Sequence, residues 1–140
     1  MRRAAIDLDA VRRDWEAHRA RFVDILDIRL ESLGRGTSVM RMPFRPEITN
    51  GVGAVHGGAI ASLCDTAFYL AHASLYGRDE ETVTAEMVCN FLSPARGPDD
   101  LVAHAKVLKA GRRIAFGEVS IYCGDRLVAH STLNFLNTAR

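Results

Sequence analysis

The rhythm of apolar and polar positions shifts along this chain, and each shift marks an element. From Asp7 to about Phe22, Leu8, Val11, Trp15 and Phe22 recur at helical spacing, with Asp7 or Asp9 placed to cap the start. At Ile25 the period drops to two. In "ILDIRLESL", Leu26, Ile28, Leu30 and Ser32 point one way and Asp27, Arg29 and Glu31 the other, as in a half-buried strand. Gly34 and Gly36 turn the chain, and "TSVMRMPF" reads as a second strand. Pro46 and Asn50-Gly51 open a loop that Gly57-Gly58 close. From there to Tyr76 the chain is apolar and Ala-rich, a helix of about five turns stopped by Gly77. The rest is β. "TVTAEMVCNFLSPA" places Val83, Ala85, Met87, Cys89 and Phe91 on one face and Thr82, Thr84, Glu86 and Asn90 on the other. "DLVAHAKVLKA", "RIAFGEVSIYC" and "RLVAHSTLNFL" follow, the last two joined by the hairpin signal Gly124-Asp125. A helix this apolar needs cover on more than one side, so the pattern predicts an α+β layer in which the sheet wraps around it.

Composition narrows the partners. The chain has 140 residues, 48% of them hydrophobic, enough for the core of one domain. A net charge of +1 gives no reason to expect a nucleic-acid partner. The basic residues near the start alternate with Asp and Glu, as on a solvated face. "MRRAAIDLDAVRRDWEAHRARF" has no apolar run and does not read as a signal peptide. The apolar run Ala59–Leu75 is short for a membrane span and carries Asp65, so a helix buried in protein is expected, with no membrane partner. Cys64, Cys89 and Cys123 are far apart, and the histidines are scattered. No disulfide framework, metal site or bound cofactor is expected, and a reducing cytoplasm fits.

Asp65 is the one full charge between Ile48 and Gly77, and no Lys or Arg lies within a turn of it. An unpaired carboxylate among Ala61, Tyr69 and His72 costs several kcal/mol if it is buried. That cost points to chemistry, with a proton affinity raised by desolvation as a general base requires. Gly57-Gly58 supply bare N–H groups at the start of the same helix, suited to a polarised carbonyl oxygen. The two features are eight residues apart, roughly 12 Å along one helix. A carboxylate cannot act on a carbonyl at its own helix N-terminus over that distance. If both serve one site, they come from two antiparallel copies of the helix in a two-fold dimer.

The pattern Asn50-x-x-Gly53-x-x-His56-Gly57-Gly58, with Leu63 and Asp65 following, and the strand ending "NFLSPA", resembles the hotdog-fold acyl-CoA thioesterases of the phenylacetyl-CoA (PaaI-like) branch. The resemblance covers about residues 25–137. It divides the chain into an N-terminal helical extension, 1–24, and a hotdog domain, 25–140. It implies one long helix wrapped by a curved antiparallel sheet, homodimers commonly paired as dimers of dimers, and metal-free hydrolysis of an acyl-CoA. It implies Asp65 as the catalytic carboxylate, base or nucleophile, Gly57 as the N–H donor to the thioester carbonyl, and Asn50 as an amide that orients water or substrate. His56 would shape the turn, and Thr84 stands where relatives carry a serine that places water. Gly58, Tyr69, Phe68 and Arg96 are candidates to touch substrate, Arg96 through the CoA phosphates. Cys64 faces about 100° away from Asp65 and has no positioned histidine, so it does not read as a nucleophile. Two other readings stay open: a hotdog protein that binds acyl-CoA without turnover, and a hotdog enoyl-CoA hydratase or dehydratase, whose His-based motif is not seen around His56.

Overall fold

The computed structural model describes residues 4–138. Helices α1 (Leu8–His18) and α2 (Arg21–Ile25) precede a hairpin of β1 (Arg29–Gly34) and β2 (Thr37–Met42). A 3₁₀ turn at Pro46–Ile48 leads to the long helix α3 (Gly57–Tyr76). Strands β3 (Thr82–Phe91), β4 (Leu101–Ala110), β5 (Ile114–Cys123) and β6 (Arg126–Asn137) follow. The six strands form one antiparallel sheet in the order β1-β2-β4-β5-β6-β3. Helix α3 lies against one face of it, mainly over β2, β4 and β5. No described helix is long and apolar enough to cross a membrane.

Leu63, Cys64, Ala67, Phe68, Leu70 and Ala71 of α3 have no exposed surface. Each large side chain among them contributes about 1.5–3 kcal/mol by leaving water. Phe68 lies close to the sheet only because β5 has a glycine beneath it: a Cβ at Gly117 would sit 2.2 Å from the Lys106 carbonyl oxygen and 2.4 Å from the Phe68 ring. Polar ties fix the helix in register. The Ser38 hydroxyl donates to the Ala67 carbonyl at 2.6 Å, and the Gly36 N–H donates to Ser74 Oγ at 2.7 Å. His72 Nε2 meets Asn137 Oδ1 at 2.7 Å, and its ring stacks on Tyr76, so this histidine is a packed core residue.

Three expectations change in detail. The N-terminal helix does not run unbroken to Phe22. It stops at His18, where Arg19 turns back to donate to the Glu16 carbonyl and to Asp24, and α2 starts afresh. The first strand begins at Arg29 rather than Ile25, because Ile25 ends α2 and Asp27 takes a positive φ of 54° that redirects the chain. Val11, Trp15, Val23 and Leu26 of this region join the same core as α3. Lastly, two strands carry bulges that reverse the expected faces. On β1 the extra residue is Glu31, so Leu33 rather than Ser32 turns toward the helix. On β3 it is Ala85: Thr84 pairs with Phe135 and Glu86 with the adjacent Asn134. Thr82 and Thr84 therefore share the helix-facing side with Met87, Cys89 and Phe91, while Val83 moves to the outer face.

Candidate active site

Asp65 occupies the middle of α3, partly buried, on the side toward the edge strand β3. The β3 bulge brings Thr84 over it, and the Thr84 hydroxyl donates to Asp65 Oδ1 at 2.6 Å. Burial pushes the carboxyl above the ordinary aspartate range, and the Thr84 bond opposes that push. Among the described residues no cation pairs with Asp65. The carboxylate opens into a cavity of about 420 Å³ whose walls include Thr84, Tyr69, Trp15, Phe22 and Arg78. Arg78 is held in place there. It ion-pairs with Asp14, and its guanidinium lies 5.4 Å from the Trp15 ring centre and 5.6 Å from that of Tyr69. The acid, its hydroxyl partner and an aromatic wall thus share one hollow.

The other end of α3 is built separately. His56 is the N-cap: its Nδ1 accepts from the Gly58 N–H at 2.8 Å, and its carbonyl accepts from Ala59 and Ile60. Gly58 is thereby spoken for, and it lines a different hollow with Phe22, Glu47 and Ser62. The expectation that Gly58 offers its N–H to substrate does not fit this geometry. Gly57 is different. Among the described residues no acceptor takes its N–H. It lines a cavity of about 410 Å³ with Asn50, Ile60, Phe91 and Arg96. Asn50 Oδ1 accepts from the Val52 N–H at 3.0 Å and the Ala54 N–H at 3.1 Å, which stiffens the loop. The Nδ2 group of Asn50 has no acceptor among the described residues. Two residues with an unclaimed N–H donor, one backbone and one side-chain, therefore line a single cavity.

The sequence candidates divide into two groups. Asp65, Thr84 and Tyr69 share one cavity; Asn50, Gly57 and Arg96 share another. Phe68 belongs to neither: it is fully buried, edge-on to Phe135 with ring centres 4.7 Å apart. Helical spacing cannot distinguish a pocket wall from core, and here the residue is core. Arg96 is exposed and uses Nη1 to hold the Val52 carbonyl at 2.9 Å.

A family model described as "Thioesterase superfamily" matches residues 52–139. The chain belongs to the thioesterase superfamily. The matched residues of this thioesterase include both ends of the candidate site, Asp65 and Gly57. It is 34% identical to human acyl-coenzyme A thioesterase 13 over 94 residues, which span 67% of this chain and 66% of the human protein. Among solved structures it is similar to a thioesterase family protein from Silicibacter pomeroyi, 28% identical, with a TM-score of 0.85 over 93% of this chain and 97% of that one. The E. coli PaaI protein shares the fold at 23% identity, with a TM-score of 0.86 over 97% of each chain. The architecture is the hotdog fold, and the chain is a thioester hydrolase.

The family match begins after the N-terminal segment, yet Trp15, His18, Phe22 and Val23 of that segment wall the hollow beside Asp65. The sequence left open whether a helix over the first 22 residues closes over the acyl pocket or caps the sheet; Trp15 carried a signal as a helix-face residue, and Arg78 carried none.

Proposed function

We propose that this thioesterase hydrolyses acyl-CoA thioesters to the free acid and CoA, in sites completed by two copies of the chain. The observation that carries the reading is the division of labour along α3. The acid with its hydroxyl partner stands in one cavity, and the unclaimed Gly57 N–H, eight residues away on the same helix, stands in another with the Asn50 amide of the preceding loop. Two helices packed antiparallel about a two-fold axis bring the Gly57 end of each against the Asp65 end of the other.

In that arrangement the thioester carbonyl oxygen accepts from the Gly57 N–H, at the positive end of the α3 dipole, and from Asn50. Asp65 of the second copy takes a proton from water as the water oxygen attacks the carbonyl carbon. The Thr84 hydroxyl occupies Oδ1, which leaves Oδ2 for the water. The carbon–sulfur bond then breaks, and the CoA thiolate, a good leaving group, needs no strong acid behind it. The acyl group extends into the hollow walled by Tyr69, Trp15 and Phe22. Exposed Arg96, which lines the Asn50–Gly57 cavity, meets the CoA phosphates in this reading. Dimers paired as dimers of dimers and a cytoplasmic location complete the reading.

The test is steady-state release of free thiol from short, medium, long and aryl acyl-CoAs. Turnover at enzyme far below substrate is expected for at least one class. Stoichiometric binding without turnover across the panel would replace hydrolysis with a binding role.

A further inference from the structure

Beside the candidate site lies a pair of thiols that the hydrolytic reading does not use. Cys64 precedes Asp65 on α3 and has no exposed surface. Cys89 stands on β3, cross-strand from Ser131 of β6. The Ser131 hydroxyl donates to Cys64 Sγ at 3.2 Å, so the one serine neighbours both cysteines. A buried cysteine on the helix and a partly exposed one on the edge strand therefore flank Ser131 at one seam, both as free thiols. We propose that Cys64 and Cys89 form an oxidation-sensitive dithiol, which a peroxide converts to an intrachain disulfide between α3 and β3. The inference stands apart from the hydrolytic reading.

The two thiols are unequal, and the inequality sets the order of events. Cys89 is held below the ordinary thiol range, at about 6, chiefly by its bond from Cys64, with Ser131 and the nearby His130 adding to the effect. It is the attacking thiolate. Cys64 is pushed up by the same contact and by burial, and remains protonated. The Cys89 thiolate attacks one oxygen of hydrogen peroxide. A sulfur–oxygen bond forms, the O–O bond breaks, and the departing hydroxide takes up a proton to leave as water. Cys64 sulfur then attacks Cys89 sulfur. The S–S bond forms, the S–O bond breaks, and the second hydroxide leaves as water with the Cys64 proton. Two thiols are oxidised by two electrons and one peroxide is reduced to two waters. A dithiol reductant reverses the step by exchange.

The experiment treats the full-length protein with a slight excess of hydrogen peroxide, counts thiols after denaturation, and maps cross-links by non-reducing peptide mass spectrometry. The count is expected to fall from three to one. A Cys64–Cys89 peptide should be found, Cys123 should stay free, and dithiothreitol should restore all the thiols. In Cys64→Ala, Cys89 should instead be trapped by dimedone as a sulfenic acid. In Cys89→Ser, Cys64 should stay reduced. Any of three results overturns the proposal: all thiols surviving, Cys89 passing to sulfinic acid while Cys64 stays free, or a cross-link between chains in place of the internal one. None of these readouts depends on hydrolysis.

Discussion

Replacing Asp65 with asparagine removes one charge and almost no volume, so it isolates what the carboxylate does. The amide oxygen can still accept from Thr84 at the 2.6 Å position, so the local hydrogen bond survives. What is lost is a proton acceptor facing the cavity. Loss of a positioned acid–base group lowers kcat by about 10²–10⁴-fold, which is roughly 3–5 kcal/mol of barrier. Stability should move the other way. The folded carboxyl holds its proton more tightly than an unfolded aspartate, because burial penalises the charged form. The folded state therefore incurs a penalty as pH rises through the unfolded value and up to the raised folded one. The amide of the Asp65→Asn variant, uncharged at all pH, escapes it, so the variant should melt no lower than wild type. The assay is thiol release from the best acyl-CoA of the panel, run from pH 4 to 9 beside a thermal melt. Wild-type kcat/KM should fall on the acid side, with a midpoint above the ordinary aspartate range, and that limb should vanish from any residual activity of the variant. A variant within threefold of wild type, or one that melts well below it, would refute the argument: the carboxylate would then be structural.

Three further outcomes follow from named contacts. Thr84→Val deletes the bond that lowers the Asp65 proton affinity, so the acid limb should shift to higher pH, whereas Thr84→Ser should leave it in place; identical profiles would remove Thr84 from the site. Trp15→Ala should cost about 3–5 kcal/mol in denaturant unfolding, since the ring is 4% exposed. It should also move the acyl preference toward larger groups; an unchanged ranking would detach the N-terminal wall from the acyl pocket. Gly117→Ala puts a methyl group 2.2 Å from the Lys106 carbonyl oxygen and 2.4 Å from Phe68, so unfolding should come at least about 2 kcal/mol earlier, and an unperturbed melt would contradict the packing.

What the sequence revealed and what it hid separate along physical lines. Period and punctuation placed α3 within its observed bounds, because apolar content, the glycine pair and Gly77 act locally. Asp65 stood out because a lone charge in an apolar helix is visible without a structure. Thr84 illustrates the opposite case. Its type was noticed, but strict alternation put it on the wrong face, since a bulge at Ala85 leaves no mark in composition and arises from how β3 registers on β6. Gly58 and Gly57 are the same residue type side by side. Only the His56 cap shows that one N–H is used and the other is not. The Trp15–Arg78–Tyr69 wall joins segments more than fifty residues apart in sequence, and nothing short of the fold brings them together.

The central claim is that each site needs two chains, and mixing two inactive variants tests it most directly. Asp65→Asn removes the acid. Gly57→Pro removes the free N–H at the first helical position, where proline is well tolerated and where His56 already has the extended conformation proline demands of its neighbour. Each variant alone should be nearly inactive. After joint unfolding and refolding in equal amounts, half the dimers are mixed, and each mixed dimer holds one intact site and one doubly defective site. Activity should therefore return to about a quarter of wild type. A mixture no more active than its parts would show that one chain supplies both the acid and the N–H, and the two-chain site would be wrong.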